Sequence, residues 1–226
     1  MNRLVTRYPV IQWTGPFVMF MVLLVAAPYV PWGQPWESVV RVLVLTLTVL
    51  VCSGTLVRTF RVQHMLSSIV LGLAVCALWV APDIVFPGWR SHWLLQNSIT
   101  GSITTSIDVA YFSDPLVMTL RIVRAAVLVP IVEELFWRGW LPRWIVNSDW
   151  ENVEPGRYTT LAFVLTAVLF AAEHGPYWEV GLVCGVVYNW WFWKTKSLGD
   201  MVLVHAVTNG ALSAFVVATG RYEYWM

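Results

Sequence analysis

The chain has 226 residues, of which 58% are hydrophobic and only 12% charged, against roughly 45–50% and about 25% in soluble globular domains. A formal net charge of +1 offers no basic footprint for nucleic acid and no pull on an acidic partner. Composition therefore excludes an ordinary soluble domain and points to an integral membrane protein.

Seven apolar runs follow one another, at 11–30, 39–57, 65–82, 116–141, 159–175, 177–193 and 197–220. Each reaches or approaches the ~20 residues with which an α-helix crosses the hydrocarbon core. The expected fold is all-α, a polytopic transmembrane helical bundle of about seven spans. The fifth and sixth runs meet at HGPYW, where Gly175 and Pro176 break the helix. Read as a re-entrant turn, that junction widens the range to six to eight spans. The longest polar stretch, 83–115, reads as an extramembrane loop. The sequence then divides into N-terminal transmembrane helices with that loop (1–115), a membrane core (116–220) and a short tail (221–226). The first run lacks a small-residue cleavage site and reads as a retained span.

Of fifteen tryptophans many, such as Trp13, Trp32, Trp36, Trp89, Trp93 and Trp225, sit where apolar runs meet polar stretches, as in the aromatic belts of membrane proteins. With the N-terminus in the cytoplasm, the inner loops hold Arg3, Arg7, Arg58, Arg61, Arg143, Arg157, Lys194 and Lys196, and the outer ones Arg90 and Arg221. The positive-inside rule thus predicts N-terminus in and C-terminus out. Arg41, Arg121 and Arg124 fall near run ends and are expected to snorkel. His64 beside Arg61 and His92 beside Arg90 read as interfacial residues. Cys52, Cys76 and Cys184 lie inside apolar runs without CxxC spacing, as small core residues.

The fourth run contains VPIVEELFWRGW. A carboxylate or guanidinium at a helix centre costs roughly 2.5–3.5 kcal/mol on translocon scales, so three of them call for compensation. Glu134 and Arg138 are spaced i, i+4 and share a helix face. Glu133 is turned about 100° away and has no local partner. Pro130 removes a backbone donor just before the pair and loosens the helix there. Two later runs carry matching oddities: His174 follows Phe170 by one turn, and His205 and Asn209 project from one face of the last span. Singly, such a histidine or asparagine is more often an interhelical hydrogen-bond partner. Together the six concentrate polar chemistry in the C-terminal half.

A glutamate, two histidines and an amide suit hydrolysis of a peptide bond. Low dielectric favours the neutral form of a carboxylate, which fits a general base working near neutral pH. In this reading Glu133 activates water, His174 shares it or protonates the leaving amine, and His205 and Asn209 present donors to the oxyanion. No cofactor is then needed. A zinc reading competes, with Glu133, His174 and His205 as a two-histidine, one-carboxylate set. The lack of HExxH and the poor ligand quality of Asn209 favour the metal-free form. A non-catalytic membrane immunity or binding protein, and a proton-coupled transporter, place polar groups similarly. No internal repeat supports the transporter.

The ordered blocks EELFWR, FAAEH and HAVTN resemble the EExxxR, FxxxH and HxxxN/B motifs of the CPBP family of intramembrane proteases, which includes CAAX endopeptidases and bacteriocin-processing relatives. The resemblance covers about residues 116–220. The C-terminal VATGRYEYWM is similar to the CAAX-protease-related proteins found beside exosortase (PEP-CTERM sorting) systems. The resemblance implies a helical membrane fold in a bacterial inner membrane, with Glu133 as water-activating base and His174 as its partner. It gives Glu134 and Arg138 supporting or substrate-binding roles and makes His205 with Asn209 the oxyanion hole. It also implies a membrane-protein or lipid-modified peptide substrate and a functional link to an exosortase. The family's older metalloprotease label keeps zinc in view. Glu173, next to His174, has no assigned role. Counted from the inner face, Glu133 and His205 both lie about 12 Å deep but His174 about 22 Å. Either the fifth helix begins well outside the lipid, near Pro155, or the span boundaries need moving.

Overall fold

The computed structural model of the protein describes residues 3–29, 31–105 and 108–225. Val30, which closes the first expected run, and Met226, at the end of the expected tail, lie outside the described residues, as does the side chain of Arg3. Among the described residues seven main helices follow in order. They are α1 (Ile11–Ala26, prolonged by the turn Ala27–Tyr29), α2 (Trp36–Val57), α3 (Met65–Val85), α4 (Pro115–Val146), α5 (Thr160–Ala172), α6 (Trp178–Thr195) and α7 (Leu198–Thr219). No β-strand occurs among the described residues. The segments containing α1, α2, α3, α4 and α7 are long and apolar enough to cross a membrane, whereas α5 is a shorter apolar helix. The helical membrane bundle expected from composition is what forms.

Besides shifts of up to three residues elsewhere, such as α3 running to Val85 into the expected loop, two boundaries differ from the apolar runs in ways that bear on the site. α4 continues past residue 141 to Val146, because the polar Arg143 is buried there. Its Nε donates to the Gly139 carbonyl at 2.5 Å, and its guanidinium lies over the rings of Trp13 and Trp150. α5 stops at Ala172, so His174 sits in the connection to α6. Glu133 is then ~20 Å along α4 from its Val146 end and His174 ~21 Å from the start of α5. These ends bring Glu133 level with His174, whereas His205 lies ~10 Å along α7 from Leu198, so the mismatch in depth passes from His174 to His205.

Small residues let the helices approach, as in other membrane bundles. A Cβ on Gly72 of α3 would lie 2.7 Å from the Val204 carbonyl of α7, and one on Gly185 of α6 3.1 Å from Ala167 of α5. Thr208 Oγ1 uses the first gap to donate to the Gly72 carbonyl at 3.1 Å.

The two ends of the bundle are tied by polar contacts. At one, Asp200 accepts from the backbone N–H groups of Gln63 and His64 (2.8 and 3.0 Å) and from His64 Nδ1 (2.9 Å), while Ser197 Oγ donates to the Arg61 carbonyl. His64 is therefore a strap to α7 rather than a bare interfacial residue. At the other end, Arg90 is buried. It meets both oxygens of Asp83 at 3.0 Å, the Pro176 carbonyl at 2.8 Å and Glu179 at 2.5 Å. The expected outer-loop cation is thus an internal clamp that fastens the 86–114 loop onto the bundle. The tail folds over the same end: Tyr224 Oη donates to Asp83 (3.1 Å), and Tyr177 Oη donates to the Glu223 carbonyl (3.2 Å).

Candidate active site

The site is built around α4, whose helical register is interrupted on both sides of the glutamate pair. Residues Arg124–Leu128 and Leu135–Trp140 form π-helical turns, a geometry that often accompanies functional positions. Pro130 explains the first. Val129 N–H reaches back five residues to the Arg124 carbonyl, and Pro130, five residues after Ala125, has no N–H to give. The Ala125 carbonyl instead accepts Asn209 Nδ2 from α7 at 2.9 Å. The sequence expectation that Pro130 loosens the helix is met in this form. In the second interruption, Gly139 lets Trp13 of α1 pack directly on the backbone, since a Cβ there would fall 2.5 Å from the indole ring.

The adjacent carboxylates go to different environments. Glu134 is fully buried, and its Oε1 accepts from Arg138 Nη1 at 3.0 Å and from His205 Nδ1 at 2.8 Å. Arg138 continues the network by donating from Nε to Asn189 Oδ1 at 3.3 Å, and Asn189 Nδ2 donates to the Phe163 carbonyl of α5 at 2.9 Å. Its guanidinium also lies 4.6 Å from the Phe170 ring centroid and 5.2 Å from that of Tyr188. The i, i+4 pair predicted from spacing is therefore present, extended by a histidine from a helix distant in sequence. With Glu134 balanced by Arg138, the proton on His205 is assigned to Nδ1. Nε2 is left facing Glu133, whose Oε2 lies 3.9 Å away, too far for a hydrogen bond.

Glu133 lines a cavity of roughly 180 Å³ together with His174, His205 and Asn209. Among the described residues its buried Oε2 has no hydrogen-bond partner. His174 Nδ1 is fixed by the Phe170 carbonyl at 2.6 Å, which turns Nε2 the other way. Trp79 packs edge-on against its ring, with centroids 5.2 Å apart. Gly181 of α6 makes room for the imidazole: a Cβ there would stand 3.2 Å from His174 Cγ.

All six residues singled out from sequence thus belong to one region, four in the cavity wall and Glu134 with Arg138 behind it. Three more were not assigned a place. Glu173 accepts from Trp137 Nε1 at 3.2 Å and lines the adjoining space with Glu133 and His174. Tyr188, whose Oη donates to Thr208 Oγ1 at 2.8 Å, and Trp79 complete the wall. Arg121, expected to snorkel, is buried and faces the cavity with the Trp225 ring 5.5 Å from its guanidinium.

The donor set does not fit a ready-made zinc site. Among the described residues no three His, Cys, Asp or Glu side chains are gathered as metal ligands, Glu133, His174 and His205 included. What the arrangement offers is an acceptor carboxylate with His205 Nε2 toward it, and His174 and the Asn209 amide in the wall of the same cavity.

Residues 115–211, less than half of the sequence, match a family model described as type II CAAX prenyl endopeptidase Rce1-like, a protease family. The match begins with α4 and ends within α7, so it includes all six residues. No curated protein and no solved structure matches the sequence.

Proposed function

We propose that the protein is an intramembrane endopeptidase in which Glu133 activates the hydrolytic water. The observation that carries this reading is the cavity that Glu133, His174, His205 and Asn209 line together, in a segment similar to a protease family. Glu133 takes a proton from water as the oxygen attacks the scissile carbonyl, and His174 Nε2 accepts a hydrogen bond from the same water. The carbonyl becomes an oxyanion. Asn209 has a second Nδ2–H beyond the one given to Ala125, and His205 Nε2, when protonated, is a second donor. Glu134 orients that imidazole by accepting from Nδ1, and Arg138 holds Glu134 in place. Both act as positioning residues. The captured proton then passes from Glu133 to the leaving amine, and the peptide C–N bond breaks. Donors of this kind, placed in advance where charge develops, typically contribute about 2.7–4 kcal/mol each.

The substrate in this reading is a membrane protein or lipid-modified peptide that enters from the bilayer of a bacterial inner membrane, with the protein's N-terminus in the cytoplasm. Processing is of CAAX type or serves protein sorting. An adjacent exosortase gene would favour sorting, an adjacent prenyltransferase CAAX processing. The test is cleavage by the reconstituted protein of a membrane-peptide library, read by mass spectrometry. Defined new termini with the wild type and none with Glu133→Gln support the reading. Equal cleavage by both would overturn it.

A further inference from the structure

Glu173 has no task in the mechanism proposed for Glu133 and His174. It follows the last turn of α5, directly before His174. Phe170, one turn earlier, orients both residues. Its carbonyl holds His174 Nδ1 at 2.6 Å, and its ring meets Trp137 edge-on with centroids 5.8 Å apart. Trp137 lies four residues after Glu133 on α4 and donates from Nε1 to Glu173 Oε1 at 3.2 Å. The indole therefore draws the second carboxylate to the part of α4 that carries the first. Among the described residues this is the one hydrogen bond that Glu173 receives, and it forms no ion pair. Both carboxylates line one space of about 340 Å³ with His174, and the charge of Glu173 acts on Glu133. Arg121 and Arg124 line that space too, but they stand twelve and nine residues before Glu133, ~18 and ~14 Å along a helix. Arg138, on the far side, is bound to Glu134. Tyr177 and Tyr224 turn their hydroxyls away, to the Glu223 carbonyl and to Asp83. Two carboxylates that share a water-poor site without a cation between them do not both ionise, and one keeps a proton.

We propose that Glu173 is a second catalytic carboxylate, the acid that protonates the leaving amine while Glu133 serves as the base. His205 faces Glu133 at 3.9 Å and favours its ionised form when the imidazole carries a second proton, whereas Glu173 has only the neutral indole of Trp137. The proton of the pair therefore rests on Glu173, on the oxygen that Trp137 leaves unengaged. Glu133 removes a proton from water as the C–O bond forms. As the C–N bond breaks, Glu173 gives its proton to the nitrogen and becomes a carboxylate. The proton captured by Glu133 then crosses to Glu173, which restores both groups, so the net transfer is still from water to the amine. This inference rests on the endopeptidase reading and supplies the route of its last proton. An acid so placed typically contributes about 10²–10⁴-fold, because an amine leaves poorly as an anion.

The test compares two leaving groups. A peptide that the wild type cuts from the membrane-peptide library is remade as its thioester, with sulfur in place of the scissile nitrogen. A thiolate departs without a proton, whereas an amine must receive one. Both forms are offered to the full-length protein in nanodiscs, and kcat is measured for each. Glu173→Gln should lose about 100-fold in kcat on the amide and change little on the thioester, which also shows that the variant is folded. Equal losses on the two forms would make Glu173 a structural residue and overturn the assignment. So would cleavage of the amide by Glu173→Gln at the wild-type rate. Glu133→Gln should fail on both forms, since each needs an activated water. If Glu133→Gln instead cuts the amide as fast as the wild type while Glu173→Gln loses the amide alone, the acid stands and Glu133 as the base fails.

Discussion

Glu134 and Glu133 are neighbours in sequence, yet they belong to regions with opposite physical character. Behind α4, Glu134, Arg138, His205 and Asn189 form a hydrogen-bonded network in which carboxylate and guanidinium offset one another, although Glu134 Oε2 and Arg138 Nη2 have no hydrogen-bond partner among the described residues. In front, Glu133, His174 and Asn209 face open space, and Glu133 Oε2 has no hydrogen-bond partner among the described residues. The contrast separates two tasks that one membrane helix performs. The rear network holds geometry at the expense of buried charge, and the front keeps its reactive groups available. His205 joins them, with one ring nitrogen on Glu134 and the other toward Glu133.

The comparison can be broken most severely at the rear. Glu134→Ala leaves the Arg138 charge buried without its carboxylate, and stability should fall by about 3–5 kcal/mol, read by denaturant unfolding in detergent. Glu134→Leu combined with Arg138→Met removes both charges and should recover most of that loss. Cleavage should stay low, because His205 Nδ1 has lost its partner. Wild-type cleavage by this double variant would show that the network does not position His205.

A smaller effect is expected at the front. Gly181→Ala would press a methyl group against the His174 ring, which must move by a few tenths of an ångström. Cleavage should fall by roughly tenfold through misplacement, with little change in the unfolding midpoint. An equal loss of stability would mean that the ring's seat matters for folding instead. Smallest of all, Trp137→Phe removes the N–H donor to Glu173 and should cost about 0.5–1.5 kcal/mol. A change in the pH profile of cleavage with that variant would bring Glu173 into the front region as a working group, whereas a pure stability change keeps it structural.

Much of this division was legible in the sequence because it depends on spacing within one helix. The i, i+4 relation of Glu134 and Arg138, and the 100° turn to Glu133, follow from the helical period alone. The partner that His205 chooses does not, since it depends on how α7 packs on α4. The same limit explains Arg121. A guanidinium near a run end reads as snorkelling until neighbouring helices show that its face meets a cavity. Arg143 misled in the other direction: a charge after an apolar run signals the end of a span, but Trp13 and Trp150 cover it and the helix continues. Pro130 announced a break, though only the structure shows that Asn209 takes the carbonyl it releases.

The central claim, that Glu133 delivers water to the scissile bond, is tested most directly by a single-turnover reaction in ¹⁸O water. The account predicts one ¹⁸O in the new C-terminal carboxylate of the product with wild type and no product with Glu133→Gln. Label appearing first on Glu133 itself, or labelled product formed at the same rate by Glu133→Gln, would contradict it.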